Sequence, residues 1–345
     1  MQEQSKVAIV ILNWNGKKDT LHCLASLQKL TYKNVEIIVV DNGSRDDSVV
    51  AIQANFPHIT LIQSKQNLGF AGGNNLGIEY ALKTRAEFLF LLNNDTEVDP
   101  NIVTAYFACM EKHPQAGILG AKTYLFDQRT QFDHFGGFWN QKKAVFDLVA
   151  NRAIEDGVSW EKELPLDYAC GCSLFIRKAV FEQVGLLEEK FFLIWEEADF
   201  CFRARKAGFM TFFCPQAKLW HRVSASFVGG KPHSTYFWWR NRLLWIERNC
   251  SLKEKLSLYF RVLLREIGHL AKLRAIKSVE WSVLRMLHKT DQKPEKRERL
   301  IMYRAALAGI RDYCLRRFGN GPAWIYQNGN KKSSGPNPKT VNTLP

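Results

Sequence analysis

Residues 87–98, Glu87-Phe88-Leu89-Phe90-Leu91-Leu92-Asn93-Asn94-Asp95-Thr96-Glu97-Val98, decide the fold. Five apolar residues in a row, Phe88 to Leu92, fit a strand buried on both faces, in the middle of a parallel sheet covered by helices. The run breaks off at Asn93, Asn94, Asp95 and Thr96, and the carboxyl ends of strands are where open α/β sheets bind ligands. Hard oxygen groups of this kind hold Mg²⁺ or Mn²⁺ beside phosphate oxygens. They also favour a plain Asn-Asp turn, so this segment alone supports both readings.

Working outward, Lys6 to Asn13, Val35 to Val40 and Ile59 to Gln63 read as further buried strands, each followed by a turn and a helical segment. This alternation of strand and helix predicts a doubly wound, mostly parallel α/β sheet. Asp41 ends the second strand, where a carboxylate can accept hydrogen bonds from a base or ribose. Segment 67–77, with Asn67, Gly69, Gly72, Gly73 and Asn74, would let backbone approach a ligand closely or form a tight loop. It matches neither GxxxxGK nor GxGxxG, and Asn13-Trp14-Asn15-Gly16 is not a dinucleotide fingerprint.

A second acidic cluster lies at Glu196, Glu197 and Asp199, directly after Phe191 to Trp195. Carboxylates that repel one another and are partly desolvated have raised pKa values, as a general base requires. Acids in a first helical turn are also simply stabilising. A strand at Thr211 to Cys214 then leads to His221, a possible nitrogen ligand. Asp133, His134, Trp139 and Trp160, in an irregular aromatic stretch, could contact a sugar.

At 345 residues, with 46% hydrophobic and 24% charged residues, the composition is that of an ordinary globular protein. The net charge of +14 is unevenly spread: residues 1–230 carry 24 basic and 26 acidic side chains, and residues 231–345 carry 24 and 8. Only six apolar residues, Val7 to Leu12, precede Asn13, too few for a signal peptide or a span. The eight cysteines lack CxxC spacing and are expected to be reduced in a cytoplasmic protein.

Taken together, VAIVILNWNG (7–16), DNGS (41–44), QNLGFAGGNN (66–75), LLNNDTEV (91–98), GCSLFIRKAVFEQVGLLEE (171–189), IWEEADFCFRARKAG (194–208) and LWH (219–221) resemble glycosyltransferase family 2. The resemblance is to its GT-A fold and rhamnosyltransferase-like branch, over about residues 6–230. It implies an inverting transfer from a nucleotide-sugar donor, best dTDP-L-rhamnose and alternatively a UDP-hexose, to a glycan or lipid-linked acceptor. The segments at Asn13 and Asp41 would hold the nucleotide, with Asn67, Gly69, Gly72, Asn74 and Asn94 lining the donor pocket. Asn93-Asn94-Asp95 looks like the DxD metal motif for Mg²⁺ or Mn²⁺, with Asp95 and His221 as ligands and the neutral Asn93 where relatives carry an acid. Glu197 would be the base, Glu196 the second choice, and Asp199 an organising or acceptor-binding carboxylate. Nucleotidyltransferases and a non-catalytic sugar-nucleotide-binding protein are the competing classes.

The basic C-terminal region, 231–325, reads as an amphipathic helical extension with an apolar stripe of Leu256, Tyr259, Phe260, Leu263, Ile267, Leu270 and Leu273. With Lys253, Lys255, Arg261, Arg265, Lys272 and Lys277 it suggests attachment to an anionic membrane surface, on the inner face of the plasma membrane, or packing on residues 1–230. No nucleic-acid motif accompanies the charge. Residues 326–345 are expected to be disordered.

Overall fold

The computed structural model describes residues 5–223, 231–286 and 294–326. The chain begins with β1 (Val7–Asn13), α1 (Lys17–Leu27), β2 (Val35–Asp41), α2 (Ser48–Asn55), β3 (Thr60–Gln63), α3 (Gly69–Leu82) and β4 (Phe88–Asn93). There follow β5 (Thr96–Val98), α4 (Ile102–Lys112), β6 (Ala116–Leu125), β7 (Gly136–Asn140), β8 (Val145–Leu148), β9 (Leu164–Leu166) and β10 (Tyr168–Ala169). Then come β11 (Ser173–Arg177), α5 (Lys178–Val184), α6 (Glu196–Lys206) and β12 (Met210–His221). The remaining helices are α7 (Pro232–Asn249), α8 (Leu252–Leu258), a π turn (Tyr259–Leu263), α9 (Leu264–Met286) and α10 (Pro294–Cys314).

The main sheet runs β3-β2-β1-β4-β11-β6-β12-β5, with β9 on β12. β1 to β4 are mutually parallel, as the continuous apolar runs predict. β11 enters antiparallel between β4 and β6, and β12 runs parallel to β6. This is the expected α/β fold with a helical C-terminus. The chain winds outward from β1 to β3 and then returns to place β4 on the other side of β1. In open α/β sheets such a reversal marks the carboxyl ends of the strands, here β1 and β4, as the place where ligands bind.

β1 and β4 bury both faces. Val10 and Leu91 face a core that includes Ile78 of α3, Phe200 of α6 and Trp245 of α7. Ile9, Phe90 and Leu92 face the opposite core, with Leu24 of α1, Ile52 of α2 and Tyr106 of α4. Residues 124–160 supply β7 and β8, which join β10 in a small antiparallel sheet.

Two expectations need correction, and α7 follows the alternative of packing on residues 1–230. The glycines of segment 67–77 are not a loop before a helix; from Gly69 onward they are within α3. A Cβ on Gly77 would lie 2.4 Å from Val10 Cγ1, and one on Gly73 would lie 2.5 Å from Leu12 Cδ1, so these glycines seat α3 closely on β1. Next, α7 is part of the main core despite the change in composition near residue 231: Leu243, Leu244, Trp245 and Ile246 are all buried in it. Last, the apolar stripe expected over 256–273 mixes two faces, for Leu258 and Leu263 are buried while Leu256, Phe260 and Leu264 are exposed. Residues 327–345 lie outside the described residues.

Candidate active site

The ends of β1, β2 and β4 meet through Asn13. Its Nδ2 donates to Asp41 Oδ1 (2.8 Å) and to Ser44 Oγ (3.1 Å). Its Oδ1 accepts from the Thr20 hydroxyl (2.8 Å) and the Gly16 N–H (3.2 Å). Asn94 Nδ2 donates to the same Thr20 Oγ1 at 2.9 Å, which ties the turn after β4 to the first turn of α1. A second amide cluster lies beside it. Asn42 Nδ2 donates to Asn67 Oδ1 (3.1 Å) and Gly69 O (3.0 Å), and Asn67 Oδ1 also accepts from Gly69 N–H (2.8 Å). The buried Asn74 donates to Phe70 O within α3. Asn13, Asp41, Asn67, Asn94 and Gly69 thus line one end of the sheet, with many of their polar atoms engaged in shaping its loops.

Asp95 follows β4 and faces the end of β12, because β5 pairs antiparallel with that strand and sets Thr96 opposite His221. His221 Nε2 is 3.2 Å from Asp95 Oδ1, but Asp95 Oδ1 has no aligned hydrogen-bond donor. A buried carboxylate oxygen without a donor, beside an imidazole nitrogen, suits a divalent cation. The other imidazole nitrogen, Nδ1, is 3.0 Å from Asp133 Oδ2, and Arg152 pairs with Asp133 Oδ1 at 3.2 Å. Burial alone would lower the His221 pKa, but the carboxylates of Asp133 and Asp95 outweigh it and push it up to about 10. Asp133 therefore turns away from any sugar and braces His221, which the sequence alone did not reveal.

Glu196 and Glu197 open α6, where the helix N-terminus favours negative charge. Glu196 is buried and Glu197 partly exposed, and the Oε2 atom of each lacks a hydrogen-bond partner. Burial pushes both carboxyl pKa values up; mutual repulsion adds to this at Glu196, while Glu197 reaches about 7. Glu197 lies over Gly171, whose ideal Cβ would be 3.4 Å from Glu197 Cγ, an ordinary van der Waals contact. Cys170 next to it is 3.6 Å from His134 Nε2. A chain of contacts thus links Asp95, His221 and Asp133, through His134 and Cys170, to the surroundings of Glu197.

The backbone leading into α6 is strained: Phe192, Ile194 and Trp195 have φ of 63°, 72° and 81°. Such geometry persists only where neighbours over-determine it. Asn241 of α7 supplies that constraint, since its Nδ2 lies 2.8, 2.7 and 2.8 Å from the carbonyls of Phe191, Leu193 and Ile194. Arg240 adds bonds to Lys190 O (3.1 Å) and Phe191 O (2.8 Å).

The remaining predicted residues have internal partners. Asp199 is fully buried and accepts from Arg203, Arg248 and Asn249, which fits an organising role and not contact with an acceptor. A Cβ on Gly72 would meet Leu68 Cβ at 3.0 Å, so that glycine also serves packing. Trp139 packs on Trp245, and Trp160 on Phe135, so neither is placed as a sugar platform.

Comparison with known proteins adds to this geometry. The sequence profile of glycosyl transferase family 2 matches residues 8–184. N-acetylglucosaminyl-diphospho-decaprenol L-rhamnosyltransferase of Mycobacterium tuberculosis is 25% identical over 294 residues, covering 74% of this chain and 92% of that protein. The dTDP-rhamnosyl transferase RfbF of Shigella flexneri is 25% identical over 255 residues, covering 71% and 81%. Among solved structures, the mannosyltransferase PcManGT of Pyrobaculum calidifontis, in complex with GDP-Man and Mn²⁺, superposes with a TM-score of 0.56 at 13% identity over 92% and 89% of the two chains. GalNAc-T7 with UDP, GalNAc and Mn²⁺ gives 0.55 at 14% identity over 72% and 48%. These two likenesses bear on the fold alone.

Proposed function

Because this chain belongs to glycosyl transferase family 2, we propose that it moves a sugar, with inversion at the anomeric carbon, from a nucleotide-diphosphate donor to a hydroxyl of a glycan or lipid-linked acceptor. The observation that carries the proposal is the pair of unsatisfied carboxylates opening α6, of which Glu197 is the more accessible. In this reading Glu197 takes the proton of the acceptor hydroxyl as that oxygen bonds to the anomeric carbon and the bond to the donor phosphate breaks. Asn13, Asp41 and the 67–69 turn shape the nucleotide end of the site. Asp95 and His221, with Asn93 as a neutral oxygen, are the residues that would hold Mg²⁺ or Mn²⁺. Such an ion supplies positive charge against the departing diphosphate.

The relatives at 25% identity support L-rhamnose from dTDP-L-rhamnose as the donor and a lipid-linked acceptor, and we infer synthesis of a surface polysaccharide as the setting. The test is transfer by purified protein offered dTDP-L-rhamnose or UDP-hexoses, repeated with Glu197→Gln. Transfer should fall by roughly 10²–10⁴-fold in the variant, with donor binding kept. Normal turnover in Glu197→Gln removes Glu197 as the base, and preference for a UDP-hexose removes the rhamnose assignment.

A further inference from the structure

Sixteen large apolar side chains are exposed among the described residues, and eight belong to the single stretch 252–286: Leu252, Leu256, Phe260, Leu264, Ile276, Val279, Val283 and Met286. Phe260 is 67% exposed and Met286 77%. At about 1.5 Å per residue the stretch is a rod of about 50 Å. Spacing of four residues advances about 400° in an α-helix, so a stripe repeated at that interval drifts around the rod by about 40° per step. The π turn at Tyr259–Leu263 offsets the drift, since its wider turn adds a residue where the stripe would leave its face. Leu252, Leu256, Phe260 and Leu264 are thereby kept in one row.

Charge follows the same geometry. Lys253, Arg261, Arg265 and Lys272 are exposed and run along one flank of this row. The three acids of the stretch are engaged elsewhere: Glu254 caps α8 through Ser251, Glu266 pairs with the buried Arg242 at 2.5 Å, and Glu280 pairs with Lys277 and Lys296. The opposite face is fixed to the protein by the buried Leu258, Leu263 and Leu284. Among the described residues the row is therefore exposed and bordered on one flank by cations.

We propose that the face formed by Leu252, Leu256, Phe260 and Leu264, flanked by Lys253, Arg261, Arg265 and Lys272, docks on an anionic lipid bilayer. Apolar side chains would enter the headgroup boundary while the cations pair with lipid phosphates. Charge selects this occupant. A second copy meeting the face about a two-fold axis would bring its own cations against these. A nucleic acid would meet the cations but leave the apolar row exposed. Among the described residues no helix is long and apolar enough to cross a membrane, which agrees with docking in the plane of the interface. The proposal is independent of the transfer chemistry, because its test contains no donor or acceptor.

The experiment is flotation of the full chain with vesicles of phosphatidylcholine alone or mixed with phosphatidylglycerol, at low and high salt. Binding to the anionic vesicles that weakens with salt is expected, with a loss of roughly fivefold for each cation changed in Arg261→Gln, Arg265→Gln and Lys272→Gln. Leu256→Ser/Phe260→Ser/Leu264→Ser, made at exposed positions, should keep the thermal midpoint and lower vesicle binding by about tenfold or more. No binding to either vesicle, equal binding to both, wild-type binding by the serine variant, or self-association that the serine variant abolishes would each overturn the proposal.

Discussion

Glu197 and Glu196 are neighbours in the first turn of α6, yet only Glu197 reaches solvent while keeping one oxygen without a donor. Its pKa, raised from 4.5 to about 7 by burial, has two consequences of opposite sign. A base must be ionised, so turnover should rise as pH increases through about 7. The folded pKa exceeds the unfolded one, so the stabilising contribution of the protonated form is complete below about pH 4.5 and is lost as pH rises through about 7. Glu197→Gln should therefore raise the free energy of unfolding above about pH 8, by on the order of 3 kcal/mol, and change little in acid, as pH-dependent thermal unfolding would show. An unchanged difference between acid and base would contradict the burial argument. Asp133 leads to a second prediction. Asp133→Ala removes the partner of His221 Nδ1 and should weaken Mn²⁺ affinity by about 10–100-fold, read by electron paramagnetic titration without any sugar present. Unaltered Mn²⁺ affinity in folded protein would leave Asp133 with no part in orienting His221.

Among the elements, α7 is the one that composition obscures. Its basic and aromatic sequence marks a break with residues 1–230, but in space it holds the strained turn before α6 through Asn241. Asn241→Ala would take that donor from the Leu193 and Ile194 carbonyls, while Phe191 O keeps Arg240, and each buried group so orphaned costs about 1–3 kcal/mol. It should lower stability by a few kcal/mol and reduce kcat more than it weakens donor binding, as thermal unfolding and single-turnover kinetics would measure. Equal effects on both, or none on kcat, would mean that the turn keeps its geometry without Asn241. By contrast, β1 and β4 were legible because six and five apolar residues in a row, each ended by Asn, have few other ways to fold. Glu196 and Glu197 at a helix start, and His221 at a strand end, were legible for the same local reason. Asp133 and Gly171 were not: their meaning lies in contacts with His221 and Glu197, 88 and 26 residues away in the chain. Gly73 and Gly77 of α3 were ambiguous because close approach to a ligand and close approach to β1 place the same demand on a side chain.

For the whole molecule, the sheet joins two halves of different character. Parallel strands β1 to β4 come from consecutive chain, whereas β11, β6 and β12 close the sheet with long-range pairings. Asn13 and Asp41 belong to the first half; Asp133, Gly171, Glu197 and His221 belong to the second. The strand order 3-2-1-4 also sets an order in time. As the chain leaves the ribosome, four adjacent strands can close before β12 has been synthesised, because nearby contacts cost less chain entropy than distant ones. The strand ends proposed to hold the nucleotide would thus be assembled first, and the proposed acid–base residues would arrive on a framework already in place. Pulse-labelled amide exchange during refolding should protect β1 and β2 ahead of β12; simultaneous protection would show that both halves condense in a single step.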